Sequence, residues 1–550
     1  HEEWLLQFVG RGNEHAQLVQ AFHLRRTTPF LLLVAGALGI GKTRLLQEFA
    51  RYVGSHGALG LTGRCLAFEV PVPFQAISMV LRLGLPFLRS ALPAPERAEL
   101  ARLLPELGHA AEGTDEAARQ RLFLAVTNYL ALLGKPEQPL VLFLDDLHWV
   151  DAASLDLLRF LLYQAPSRLL IVAAYRPEDI LADHPLQQMQ RSVSRDRLVA
   201  QLSLPPLAES SVYELSHSLV QEEQVAELTQ YLWQESRGNG FVLVELLHEL
   251  KEKYGLGAMP WKLPSQWTSH LVALTQTVRD VVLDRVERLP LGSQTALQKA
   301  AIIGAIFDHS LLSAVFPHSS LGTYVREWQA RGLVQTSGQA LEFSHDKIRA
   351  VLLEALPAAQ KASWHTEVAQ ALSQQQPEAT SRLAHHYFSG SNPAQALPYL
   401  VIAAGQAAQV LAFGEVIALC SQALGLASVQ PHDQLKLLQL RQRAFQFLGN
   451  TEAEGQDALA LLSLAQQVGD DQQLAAAVHR LSRFYYLRGR AAEARQAVAN
   501  ILQVAREDGN VETTVRVLNM MAMLLRNTLE GQVEALHCQA EALALVRAAD

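Results

Sequence analysis

The run Gly36-Ala37-Leu38-Gly39-Ile40-Gly41-Lys42-Thr43 combines three glycines, a lysine and a hydroxyl at the spacing that binds a phosphate chain. Glycines at 36, 39 and 41 let the backbone turn tightly and aim successive N–H groups, with the N-terminus of a following helix that starts near Arg44, at phosphate oxygens. Lys42 then reaches the terminal phosphates, and Thr43 offers its hydroxyl to Mg²⁺. A second pair, Asp145-Asp146, ends the apolar run Leu140-Val-Leu-Phe-Leu. Asp145 is the expected metal holder, acting through water, and Asp146 sits where a base polarises an attacking water. Together these groups could bind a nucleoside triphosphate and promote attack on its terminal phosphoryl group. The loop pattern by itself also occurs in ordinary Gly-rich strand-to-helix turns, and the carboxylate-ended run argues against that.

Positioning these groups requires a parallel sheet. The spacing predicts strands over Phe30–Ala35, Ala58–Thr62, Leu140–Leu144, Leu169–Ala174 and Leu198–Leu202, with helices such as Glu96–Leu104 and Glu116–Leu133 between them. In such an α/β domain ligands bind at the carboxyl ends of the strands, so Lys42, Asp145 and Arg176, which follows Leu169–Tyr175, should line one pocket. The expected architecture is multidomain. Residues 1–205 form the α/β P-loop NTPase domain, 206–275 a helical lid broken at Gly238-Asn239-Gly240, and 276–357 four helices and a hairpin in the outline of a winged helix. Residues 358–550 form an all-α solenoid similar to tetratricopeptide repeats. In that last region Val468-Gly469-Asp470 recurs forty residues later as Asp508-Gly509-Asn510, and Gly449 as Gly489.

The 550 residues, 49% apolar and 18% charged, can build several cores. A net charge of −8 gives no global attraction to DNA or anionic membrane. Cys65, Cys420 and Cys538 lie far apart, which argues against a disulfide frame or zinc and for a reducing compartment. No apolar segment is long enough to span a bilayer. Cytoplasm is the expected location, with no membrane partner. A first residue other than Met and a last residue inside the repeat pattern are those expected of a fragment.

Several motifs in order resemble one family: Phe8-Val9-Gly10-Arg11, the phosphate loop, LFLDDLHWVDAASLDLL (142–158), AAYRPED (173–179), GNGFVLVELL (238–247) and FSHDKIRAVLLEAL (343–356). The chain is similar to the signal-transduction ATPases with numerous domains, the STAND branch of AAA+-related proteins. Within them it most resembles the maltose-regulon activator and large LuxR-type bacterial transcriptional regulators. The resemblance implies an ADP-bound closed monomer and an ATP-bound open form that self-associates when an inducer or protein ligand reaches the repeats. It implies that Val9, Gly10 and Arg11 border adenine and ribose, that Arg176 detects the γ-phosphate, and that His345, within a His345-Asp346 pair like the Met-His-Asp motif of related immune receptors, closes the winged helix on the ADP β-phosphate. DNA contact is expected only through a domain outside this chain, since the fourth helix of the winged unit offers just Arg326 and Arg331.

Two departures stand out: Gly240 replaces a proline that packs on adenine in the family, and Ala37-Leu38 replaces a commonly acidic position. Alternative functions are a repeat scaffold with a degenerate nucleotide domain, and a motor-like AAA+ ring. Arg176 could instead form a strand-end salt bridge, and His345 a locally satisfied hairpin end. Trp149 is expected to pack behind the metal site. His385-His386 has no third ligand at useful helical spacing, so a solvated helix face is expected there.

Overall fold

The computed structural model describes residues 8–549 apart from 25–28, 66–71, 89–91, 135–138, 166–168, 181–183, 257–258, 265–266, 268–277, 318–319, 339, 428, 469–470, 508–510 and 526–530. The expected repeat turns at 469–470 and 508–510, the lid boundary at 275 and the side chain of Asp346 lie outside the described residues.

Strands β1 (Phe30–Ala35), β2 (Leu59–Arg64), β3 (Leu140–Asp145), β4 (Leu169–Tyr175) and β5 (Val199–Ser203) form one sheet in the order β2-β3-β4-β1-β5, parallel throughout. Every residue of β1, β3 and β4 is buried, as central parallel strands covered on both faces require. A parallel-sheet α/β P-loop NTPase domain therefore precedes a mostly helical remainder. One face of the sheet packs on Leu18, Phe22, Leu45 and Phe49. β2 runs two residues beyond the expected Thr62, and its register sets Arg64 opposite Asp145. The helix expected over 96–104 spans Ala94–Leu100, and Leu104 is held out of helical backbone ahead of Pro105.

Three helices follow, Glu209–Leu219, Glu222–Ser236 and Gly240–Tyr254. The second ends where Arg237 and Gly238 turn left-handed (φ 49° and 75°), and the third begins where the Asn239 carboxamide accepts the N–H groups of Phe241 (3.0 Å) and Val242 (3.3 Å). Next come helices Val278–Glu287, Leu291–Ile303, His309–Val315 and Leu321–Ala330, then the hairpin β7 (Val334–Ser337) and β8 (Ala340–Phe343). A two-residue strand, β6 (Ile306–Phe307), adds to β8; it is too short to leave a periodic pattern in sequence. Helices Asp346–Glu354, Ala358–Gln375 and Thr380–Phe388 complete a compact unit that ends at Asn392. Ala358–Gln375 packs on Leu291–Ile303 and His309–Val315.

The second compact unit, from Pro393, is helical among its described residues. Helices start at 431, 471 and 511, and their partners at 451, 491 and 531, a strict forty-residue step. Each packs on the next, and Asp471–Leu487 also on Val511–Leu525, so helix pairs stack around Leu461, Val478, Val498 and Val517. Gly449 and Gly489, forty residues apart, each turn left-handed (φ 70° and 69°) between partner helices.

Candidate functional site

The helix Lys42–Ser55 opens directly off the loop, with Gly41 at φ 102° and Gly39 at φ 75°, values that L side chains rarely adopt. The loop is held from three sides. Leu38 N donates to Glu178 Oε1 at 2.9 Å, Asn239 Nδ2 to the Leu38 carbonyl at 3.0 Å, and Phe241 N to the Gly39 carbonyl at 2.9 Å. A Cβ on Gly39 would come within 2.7 Å of both Asn239 and Phe241, so the Gly238-Asn239-Gly240 break of the helical segment is built to touch the loop. Ile40 is buried, Gly36 packs on it, and Arg44 is half-buried beyond Thr43. Val9 and Gly10 lead into Arg11, which is 4% exposed. Its guanidinium donates to the Ile40 carbonyl (3.1 Å) and the Pro205 carbonyl (2.7 Å), pinning the loop to the stretch that leaves β5.

Lys42 is 7% exposed, and its ammonium donates to the carbonyls of Gly36 (2.8 Å) and Ala37 (3.0 Å). Burial first, then the Arg176 guanidinium, push it below the ordinary lysine value, while Asp146, Glu178 and Asp145 oppose the shift. Thr43 Oγ1 donates to Asp145 Oδ2 at 2.7 Å, so the two expected metal-side groups stand together. Asp145 Oδ1 accepts the Asp146 N–H at 3.0 Å, and Asp146 takes a left-handed backbone (φ 55°) that turns its side chain toward the same cleft. Around the Asp146 carboxylate stand Arg64 Nε at 3.2 Å, Arg176 NH2 at 3.6 Å and His148 Nε2 at 3.9 Å.

A glycine-flanked N–H cradle, a buried ammonium and a hydroxyl–carboxylate pair fit a phosphate chain and a divalent ion, and Asp146 is within reach of a water beside them. Lys42, Thr43, Asp145, Asp146 and Arg176 are thus brought to one edge, with Gly10 and Arg11 behind the loop. His345 comes to the same edge from the hairpin-bearing segment, its exposed ring edge-on to Phe241 at 4.6 Å.

Three residues that the motifs do not single out complete the site. Arg64 links Asp146 to Glu342 of β8 through an ion pair. Arg64 lies two residues beyond the expected end of its strand at Thr62, so no sequence signal marked it. His148, rather than Trp149, packs behind the carboxylates: Trp149 is 43% exposed and His148 4%. Burial, followed by Arg176, Lys42 and His184, holds the His148 imidazole down to about 3, so it is neutral. Glu178 had no signal beyond following Arg176 by two residues.

Residues 7–172 match the AAA ATPase domain family. Among solved structures, the chain is similar over 98% of its length to 78% of a STAND protein with a tetratricopeptide repeat sensor from Pyrococcus horikoshii, at 14% identity and a TM-score of 0.46. It is also similar to the ORC2 protein of Aeropyrum pernix (16% identity, TM-score 0.30, 62% of this chain and 93% of that one). A Walker-type ATPase of Pyrococcus abyssi aligns with 63% of this chain and 96% of its own (14% identity, TM-score 0.33). No curated protein matches the chain significantly by sequence. No described helix is long and apolar enough to cross a membrane.

Proposed function

We propose that this chain is a STAND-type nucleotide switch: it binds ATP or ADP with Mg²⁺, hydrolyses ATP slowly, and converts the presence of the terminal phosphoryl group into the docking or release of its hairpin-bearing segment. The observation that carries this is the pair of contacts joining that segment to the site, Glu342 to Asp146 through Arg64 and His345 to the Gly39 loop through Phe241. Only groups that touch the difference between a triphosphate and a diphosphate can bias one arrangement over another. Arg176 and His345 are the groups assigned to that difference, and Arg64 carries the state of Asp146 to the hairpin.

In this scheme Gly36, Gly39, Ile40, Gly41 and Arg44 supply the phosphate cradle and its helix, and Lys42 contacts the terminal phosphates. Val9, Gly10 and Arg11 form the base-proximal wall. Thr43 and Asp145 would hold Mg²⁺, which when bound neutralises charge on the phosphate oxygens. Asp146 takes the proton of the attacking water. Converting a mostly docked to a mostly released population needs about 5.5 kcal/mol of differential binding, within reach of several charge-assisted contacts acting together.

We assign the hairpin segment as a winged helix and the forty-residue helix pairs as repeats that sense an inducer or protein ligand. ATP-state self-association and an output in bacterial transcription, through a domain outside this chain, complete the proposal, with the cytoplasm as its compartment. Arg326 bonds back to the Gly322 carbonyl and Arg331 pairs with Glu327, so the fourth helix of the segment keeps few cations for DNA.

The test is small-angle scattering with saturating ADP or ATP, on the wild type and on Glu342→Gln. The wild type should expand with ATP. The variant, lacking the charge-assisted contact to Arg64, should release ADP roughly tenfold faster, equivalent to about 1.4 kcal/mol. Superimposable wild-type profiles together with an unchanged ADP release rate would overturn the switch.

A further inference from the structure

Away from the sheet, three imidazoles meet between two helices. Ala358–Gln375 and Thr380–Phe388 are joined by a short turn and pack side by side. His365 projects from the first, and His385 and His386 from the second. His365 is 8% exposed and His386 2%, and their Nδ1 atoms are 3.0 Å apart. The ring of His385, half-buried, lies 5.2 Å from that of His365 and 5.0 Å from that of His386. One ring nitrogen from each can be chosen so that all three fall within 4.8 Å of one another. The expected solvated face is therefore a buried cluster. Spacing along one helix displays only the adjacent pair, and the third imidazole arrives across the hairpin turn.

A hydrogen bond between two neutral rings accounts for the His365–His386 contact. That bond needs only two rings, and a third imidazole converges on the same point. We propose that His365, His385 and His386 form a binding site for a divalent transition-metal ion, with zinc as the best-suited member and the fourth position left to water or an anion.

Four-coordinate zinc holds nitrogen ligands at about 2.0–2.1 Å, which sets neighbouring nitrogens about 3.3 Å apart. The Nδ1 pair stands close to that spacing, and no pair has to close by more than roughly 1.5 Å, a movement that side-chain torsions supply. The ion would take the place of the proton shared between His365 and His386. An all-imidazole set with no carboxylate discriminates against Mg²⁺ and Ca²⁺, which require oxygen ligands, and favours Zn²⁺, Co²⁺, Ni²⁺ and Cu²⁺. Arg349 and Arg382 act on this cluster with positive charge, which favours an anion over water in the fourth position. The bound ion would clip the two helices together and stabilise the folded state by mass action.

The test uses the whole chain, stripped with a chelator and titrated with Co²⁺ under excess Mg²⁺ so that the phosphate-loop site keeps its own ion. Visible d–d bands of four-coordinate Co²⁺ should grow to one ion per chain and vanish on adding Zn²⁺, and Zn²⁺ should raise Tm. His385→Gln, at the most accessible of the three positions, should keep the far-ultraviolet circular dichroism of the wild type and weaken Co²⁺ binding by roughly 100-fold. His386→Gln should do the same; should it fail to fold, His385→Gln decides alone. Absence of both the bands and the Zn²⁺-dependent rise in Tm in the wild type, or their survival unchanged in His385→Gln, would overturn the site and leave a hydrogen-bonded packing cluster.

Discussion

Lys42 and Asp145 at the sheet edge and Glu454 and Asp457 in the helical repeats are all buried, and their charges are satisfied in opposite ways. In the repeats the buried acids Glu454 and Asp457 are each closed by a guanidinium. Glu454, 3% exposed, accepts Arg488 at 2.6 Å, and Asp457, 4% exposed, accepts two bonds from Arg441 at 2.7 and 2.9 Å. At the sheet edge Lys42 is as deeply buried, yet its hydrogen bonds end on the neutral carbonyls of Gly36 and Ala37. Asp145 likewise spends its oxygens on the Thr43 hydroxyl and on a backbone N–H. A charge satisfied by dipoles keeps much of its attraction for an opposite charge in a low-dielectric setting, whereas a closed pair has little left to offer a ligand. Closed pairs hold helices in register, and a buried cation that closes on carbonyls is a receptor for an anion.

Removing the cation is the most severe way to break that contrast. Lys42→Ala should weaken ADP binding by 100-fold or more, about 3 kcal/mol, measured by titration calorimetry. Glu454→Gln in the repeats should leave that affinity unchanged and lower unfolding stability by about 1–3 kcal/mol, measured with denaturant. Equal loss of nucleotide affinity in the two variants would erase the distinction. Next in size is Asp146→Asn. Asparagine tolerates the left-handed backbone at this position better than alanine, so the loop geometry survives and only the proposed base is lost. Single-turnover hydrolysis should fall by about 10²–10⁴-fold with nucleotide affinity kept.

The two regions also differ in how far their sequences disclose them. The three central strands are visible because β1, β3 and β4 are unbroken apolar runs, and Thr43 and Asp145 because their types and neighbours match a phosphate loop and a carboxylate-ended strand. The forty-residue step is visible in the recurring glycines at 449 and 489. Arg64, Glu342 and Glu178 were not legible, since each reaches the site through strand order or a contact between distant segments, and one sequence does not fix which strand lies beside which. Arg64 faces Asp145 only because β2 neighbours β3. The His365 partner of His385 and His386 was hidden for the same reason, on the opposite arm of a hairpin. β6 was too short to show any period.

The sheet edge also has a pH signature. His148 is neutral in the fold down to about 3, while an unfolded histidine titrates near the ordinary 6.5. The unfolded chain therefore binds a proton that the folded one refuses, and this position costs stability as pH falls from about 6.5 toward 3, by at most about 1.4 kcal/mol per pH unit. Above 6.5 the contribution to the slope vanishes. His148→Asn should flatten the acid limb of a stability–pH profile by up to that slope, whatever it does to absolute stability. An unchanged slope would mean that the imidazole is not held neutral by its surroundings.

The smallest expected effect tests whether the loop contact at residue 240 tolerates the proline that the family resemblance leads one to expect. Gly240 is the first residue of the helix Gly240–Tyr254, where a proline's missing N–H costs no helical hydrogen bond and its fixed φ suits the turn. A Cβ there would meet the Gly39 carbonyl oxygen at 3.4 Å and that of Ile40 at 3.9 Å, and the bond from Phe241 N to the Gly39 carbonyl is made by the next residue. Gly240→Pro should therefore raise stability by about 0.4–1 kcal/mol through the unfolded chain, read as an increase in Tm, with ADP affinity unaltered. A loss of affinity would show that the receptor side of the contrast depends on the flexibility of this glycine, because the Asn239 carboxamide and the Phe241 N–H that hold the loop flank it on either side.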